Sequence, residues 1–134
     1  MIRPATRADA GAVLALWERA RSLEASVPDD QEAVEAAVEH GALLVAEVAG
    51  EVVGTVIAAW DGWRGNIYRL AVAPEHRRRG LGLALVEAAE ARLRAVGAPR
   101  VTALVAREEA DAVALWRAAG YGDDAAISRY VKNL

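Results

Sequence analysis

Residues 70–93, LAVAPEHRRRGLGLALVEAAEARL, decide how this chain is read. The stretch passes from an apolar, strand-like segment, Leu70-Ala71-Val72, through Pro74 into three successive arginines, Arg77, Arg78 and Arg79. Gly80, Leu81, Gly82 and Leu83 follow. Leu85, Val86, Ala89, Leu93 and Val96 then recur at the three- and four-residue steps of an amphipathic helix. A helix start leaves its first N–H groups without intrahelical acceptors and carries about half a positive charge. Glycine lets backbone come close to a ligand with no Cβ in the way. Arginine adds long, permanently charged donors. Together these features make an anion site, and a diphosphate is its natural guest.

Two nucleotide-binding patterns do not fit. A P-loop requires G-x-x-x-x-G-K-[ST], and the sole lysine of the chain is Lys132. A dinucleotide fingerprint requires G-x-G-x-x-G, and Gly80-Leu81-Gly82-Leu83-Ala84-Leu85 lacks the third glycine. The segments before it also read as hairpins, not as βαβ units.

Working outward, Ile2 to Ala5 reads as an opening strand, and Thr6 is suited to cap a helix whose apolar stripe is Val13, Leu14, Leu16 and Trp17. Val27-Pro28-Asp29-Asp30 breaks the chain, and Asp29 or Asp30 is placed to cap a second helix running to about His40, with Gly41 beyond it. Leu44 to Val48 and Val52 to Ile57 form a hairpin around Ala49-Gly50-Glu51. Asp61 to Gly65 is a second turn and Asn66 to Val72 a third strand. After the long helix, Gly97 and Pro99 stop the chain. Val101 to Val105 then reads as a strand, Glu108 to Ala119 as a helix with Ala112, Leu115 and Trp116 inward, and Ile127 to Val131 as a closing strand. The order is βααβββαβαβ, an α/β (α+β) chain with a mixed, mostly antiparallel sheet.

Composition bounds the function. The 134 residues suit one domain spanning 1–134. A hydrophobic share of 54% with 26% charged residues is the profile of a soluble globular protein. The absence of cysteine excludes disulfides and thiolate chemistry and suits a reducing cytoplasm. With only His40 and His76 as histidines, no metal site is expected. The first 20 residues are interrupted by charges and do not read as a signal peptide. No apolar run approaches the roughly 20 residues of a membrane span. A net charge of −3 argues against nucleic acid as a partner.

Arg77-Arg78-Arg79-Gly80-Leu81-Gly82 matches [Q/R]-x-x-G-x-[G/A], and the strand Leu70-Ala71-Val72-Ala73-Pro74-Glu75 precedes it with a V-x-P step. This pairing resembles the acyl-CoA loop of the GCN5-related N-acetyltransferase (GNAT) superfamily. Ile2-Arg3-Pro4-Ala5 resembles that family's opening strand, and Leu115-Trp116-Arg117-Ala118-Ala119-Gly120-Tyr121 its L-Y-x-x-x-G-F segment. Val45 to Val48, Gly50 to Val56 and Asp61 to Gly65 are similar to the small bacterial YpeA-like members. The resemblance covers essentially the whole chain. It implies a three-layer fold of about six to seven strands flanked by about four helices.

The resemblance also implies an acetyl-CoA-dependent N-acetyltransferase acting on a primary amine, with no metal. The acceptor is a small-molecule amine or a peptide or protein amine, and a homodimer is a further expectation. The resemblance implies that the strand before the loop carries a bulge and splays from the next strand, leaving a gap for the pantetheine arm. The implied cofactor-binding positions are Leu70, Ala71 and Val72 along that strand, Arg77 to Leu83 in the loop, and Glu109, Ala112 and Trp116 on the later helix. The Val72 N–H is the implied donor to the thioester carbonyl. Trp116 stands where many members carry a proton-donating tyrosine, Glu109 where asparagine is common, and Leu104 where some place a glutamate base. Tyr68 and Asp61 are the remaining candidates for proton transfer. Glu24, Asp29, Asp30 and Glu32 lie in the region that shapes the family's acceptor site. An acyl-CoA-binding regulatory or sensory module with weak turnover is the second reading.

Overall fold

The computed structural model describes residues 1–20 and 29–134. Five strands form one sheet in the order β1-β2-β3-β4-β5: β1 (Ile2–Pro4), β2 (Leu43–Val48), β3 (Glu51–Trp60), β4 (Gly65–Val72) and β5 (Val101–Ala103). All neighbours are antiparallel except β4 and β5, which are parallel. The β2–β3 hairpin closes through Ala49 and Gly50, at φ 52° and 80°. That pair of left-handed residues matches the twist of the flanking strands.

Helices cover both faces. α1 (Ala10–Arg19) and α2 (Gln31–Glu39) close one core with Val13, Trp17, Val34, Leu43 and Val45. Asp30 starts α2 by accepting from the Ala33 N–H at 2.7 Å, one of the two caps expected there. α3 (Leu81–Ala95) and α4 (Ala110–Ala118) lie on the opposite face, where Leu85, Val86, Ala89, Leu93 and Trp116 pack on Val53, Val56, Ala58 and Ile67. The salt bridge from Arg3 to Asp9 and Glu47, at 2.8 and 3.0 Å, ties the opening strand to both the α1 entry and β2.

Two irregularities shape β4. Thr55 pairs with Ala71 and Ile57 with Tyr68, so Val56 stands opposite both Arg69 and Leu70. This is a β-bulge, and its first residue, Arg69, is left-handed at φ 52°. On its other side β4 pairs with β5 only through Gly65, Asn66 and Ile67. Tyr68 to Val72 run on past the last paired residue, and the two strands part there.

Among the described residues the sheet has five strands, where about six to seven were expected. Ile127 to Val131 forms no strand, and Ile127, Tyr130 and Val131 are exposed. β5 has three residues and offers a short ladder, while the Ile127 N–H turns back to the Asp124 carbonyl at 3.2 Å. β propensity without a partner edge does not make a strand. The four helices stand as expected. Glu24, Val27 and Pro28 lie outside the described residues.

Candidate functional site

The site begins where β4 leaves β5. The Ala73 N–H donates to the Val53 carbonyl at 2.8 Å, so Ala73 faces β3. Antiparallel pairing alternates. Val72, opposite Gly54, therefore turns its N–H and carbonyl away from β3 and toward the gap. Its carbonyl accepts from Arg77 Nε at 3.2 Å, which marks that direction.

Pro74–His76 makes a 3-10 turn, and the chain enters the arginine loop. Arg78 and Gly80 are both left-handed, at φ 62° and 79°. Space around Gly80 is open, so glycine is suited there by its backbone angle and not by crowding. The first α3 bond runs from the Ala84 N–H to the Gly80 carbonyl at 3.1 Å, and no side chain caps the helix. The N–H groups of Leu81, Gly82 and Leu83 precede that ladder. Val48, His76, Arg79, Gly80, Leu81 and Ala84 line an open cleft of about 300 Å³ beside them.

Gly82 answers a different need. Leu115 Cδ1 stands 2.5 Å from where a Cβ on Gly82 would lie, so its missing side chain is filled by α4. The two glycines thus serve the loop separately, one through conformation and one through helix packing. Arg77, Arg78 and Arg79 are exposed, and Arg78 meets Asp111 at 3.8 Å across a solvated surface.

The later helix is divided. Glu109 is the residue before α4, its carbonyl accepting from the Val113 N–H at 3.0 Å, and Ala112 is half-buried. Trp116, expected at the cofactor, is buried in the core with its ring edge-on to Tyr121, centroids 4.8 Å apart. Tyr121 in turn donates to Glu90 at 2.8 Å; burial first, then the Glu90 carboxylate, holds its phenol well above the usual tyrosine range. Leu104 is exposed just past β5.

The two expected proton carriers separate. Tyr68 is exposed on β4 immediately before the bulge. Asp61 is in the β3–β4 turn, where Oδ1 accepts from the Trp63 and Arg64 N–H groups at 2.7 Å each. Those bonds, the Arg64 N–H first, hold its carboxyl below the usual range. β4 begins beside that turn and reaches Val72 only after about 23 Å of strand. Asp61 therefore lies in the turn at the far end of β4 from Val72, with its carboxylate engaged by the turn's own backbone. Asp29 pairs with Arg69 and Asp30 caps α2, so both have structural partners.

Residue-by-residue reading missed Thr55 and Arg69. Thr55 is fully buried, and its hydroxyl links the Trp17 indole to the Arg69 carbonyl. A left-handed bulge residue is usually announced by glycine; an arginine there gives no such sign. The usable signal was a threonine in an otherwise apolar strand facing a tryptophan-bearing helix.

The sequence pattern of the Acetyltransferase (GNAT) family matches residues 12–121. Acetyltransferase plu1384 of Photorhabdus laumondii is 43% identical over 102 residues, covering 75% of this chain and 70% of that protein. The ribosomal-protein-alanine N-acetyltransferase of Brucella melitensis has a similar structure, with a TM-score of 0.75 and 27% identity over 90% of this chain and 83% of that one. Rv2747 of Mycobacterium tuberculosis, solved in complex with CoA and NLQ, aligns with a TM-score of 0.71 and 25% identity over 85% of this chain and 68% of that one. The chain belongs to the Acetyltransferase (GNAT) family and is an N-acetyltransferase.

Proposed function

We propose that the enzyme binds acetyl-CoA with the pantetheine arm in the gap between β4 and β5 and the diphosphate at the start of α3, and that a primary amine attacks the thioester directly. The observation that carries this reading is the parting of β4 from β5 after Ile67, with Val72 turned into the gap. The unladdered N–H groups of Leu81 to Leu83, at the mouth of the same gap, support it.

Leu70, Ala71 and Val72 offer the arm an unpaired strand edge. The Val72 N–H is oriented to polarise the acetyl carbonyl as it becomes an oxyanion. Leu81, Gly82 and Leu83 give the diphosphate three amide donors, with Gly80 setting the loop and Arg77, Arg78 and Arg79 adding charge. The amine loses a proton, its nitrogen bonds to the acetyl carbon, the C–S bond breaks, and the thiolate leaves and is protonated. Holding both substrates together supplies up to roughly 7–11 kcal/mol of the barrier. Tyr68 is the side chain on β4 best placed to exchange a proton, with water as its relay. The acceptor class spans small amines and peptide or protein amines, the classes met among the structural relatives.

Calorimetry with acetyl-CoA, followed by thiol release across amines, amino acids, peptides and polyamines, tests this. Binding, amine-dependent thiol release and intersecting initial-rate lines are the expected results. Absence of acetyl-CoA binding, or a ping-pong pattern, overturns it.

A further inference from the structure

The fully buried threonine of β3 carries an inference beyond the cofactor site. Thr55 is 0% exposed and lies opposite Ala71. Its Oγ1 accepts from Trp17 Nε1 at 2.8 Å and donates to the Arg69 carbonyl at 2.9 Å. A hydroxyl has one hydrogen to give, and here it goes to the bulge. Arg69 is held at its other end as well. Its guanidinium lies 5.1 Å from the centroid of the Trp17 ring and is paired with Asp29. The strained residue of β4 is thus fastened to β3, to α1 and to the chain entering α2.

The bulge decides which backbone groups reach the gap. A strand's hydrogen-bonding direction and side-chain face alternate with a period of two, so one residue more or less reverses both for everything beyond it. With the extra residue between Tyr68 and Ala71, Val72 faces the gap and Ala71 faces β3. Without it, Ala71 would present its N–H to the gap and Val72 would turn inward. The bulge costs a left-handed arginine, and non-glycine residues persist in that region only when their surroundings over-determine them. Among the described residues, the Thr55 hydroxyl is the buried side-chain group bonded to the carbonyl of that residue.

We propose that Thr55 is a positioning residue for acetyl transfer: with Trp17 it locks the Arg69 bulge, and so fixes the phase that aims the Val72 N–H at the thioester. It touches neither substrate and acts through the backbone of β4. This rests on the acetyl-CoA placement proposed above.

The test compares Thr55→Val, which keeps the shape and removes the hydroxyl, with Thr55→Ser, which keeps the hydroxyl. Trp17→Phe, which removes the indole N–H together with part of the buried ring, is the third variant. Acetyl-CoA turnover is measured on an amine the wild type accepts, alongside amide hydrogen exchange at Ala71 and Val72. Thr55→Val is expected to lower kcat at least tenfold with a smaller change in the KM for the amine. Its Ala71 amide should lose protection relative to the rest of β3 and β4, while Thr55→Ser stays within about threefold of wild type. Trp17→Phe should fall between them. If Thr55→Val does not fold, the Ser and Phe variants decide alone: equal rates and exchange patterns for both overturn the proposal. Wild-type turnover and Ala71 protection in a folded Thr55→Val overturn it too. Failure of the wild type itself to bind acetyl-CoA would overturn the cofactor placement instead, a result the hydrogen-exchange comparison is read without.

Discussion

Arg77 Nε donates to the Val72 carbonyl at 3.2 Å, so the first arginine of the loop is tied to the strand that borders the gap. Arg78, its neighbour, pairs with Asp111 at 3.8 Å, with both side chains in solvent. Exposed pairs of that kind contribute little, whereas a charged donor to a carbonyl is worth more. Arg77→Ala should therefore weaken acetyl-CoA binding about tenfold, roughly 1.4 kcal/mol. Arg78→Ala should change it less than about threefold. Titration calorimetry of the two variants checks the order, and equal losses would contradict it.

The contact of Leu115 with Gly82 predicts a sign reversal. A Cβ on Gly82 would stand 2.5 Å from Leu115 Cδ1, the movable end of a side chain. Gly82→Ala should destabilise the enzyme by about 1 kcal/mol, because overpacking outweighs the gain in helix propensity. In a Leu115→Ala background the same change should stabilise it. The double-mutant cycle, followed by urea denaturation, should give a coupling of more than about 1 kcal/mol. Simple additivity would mean that α4 does not rest on that glycine.

Much of this architecture is legible in the sequence, for local reasons. α3 announces itself by its period and by Gly97; the β2–β3 hairpin by Ala49-Gly50; the loop by arginines beside glycines. What escapes is what depends on distant partners. Ile127 to Val131 has strand composition, yet strand formation is decided by an edge elsewhere in the chain. Asp61 beside Gly62 reads first as a turn residue and otherwise as a substrate contact, and its bonds to the Trp63 and Arg64 N–H groups are the turn's own. Trp116 sits in a motif that suggests a cofactor contact, but the packing of α4 turns its indole into the core. A bulge near Leu70 to Val72 is implied by the family resemblance, but its left-handed residue, Arg69, carries no local bulge signal of its own.

Strong acid should weaken the N-terminal corner. The Arg3 guanidinium, bonded at 2.8 and 3.0 Å, draws the Asp9 carboxyl from 3.8 down to about 2. A depressed folded-state value means that the unfolded chain takes up the proton first. The contribution is therefore fully present above 3.8 and is lost as pH falls toward about 2. Asp9→Asn should lower stability at neutral pH and flatten the decline of stability across that window. Thermal unfolding of both forms as a function of pH checks this, and parallel acid limbs would contradict it.

Tyr68 gives the last prediction. It is exposed on β4 next to the bulge and precedes the residues whose backbone faces the gap. Its side chain is exposed, so removing the hydroxyl takes no group out of the packed core. Tyr68→Phe should therefore leave thermal stability and acetyl-CoA affinity nearly unchanged. If the phenol exchanges a proton during transfer, kcat should fall by a factor of about 10² to 10⁴, and the alkaline limb of the pH–rate profile should change shape. Asp61→Asn is the internal comparison: its Oδ1 can still accept the Trp63 and Arg64 N–H groups, so the turn survives and turnover should stay at wild-type level. Steady-state kinetics across neutral and alkaline pH on the three proteins separates the cases. An unchanged kcat for Tyr68→Phe would leave proton transfer to solvent, with the backbone alone shaping the reaction.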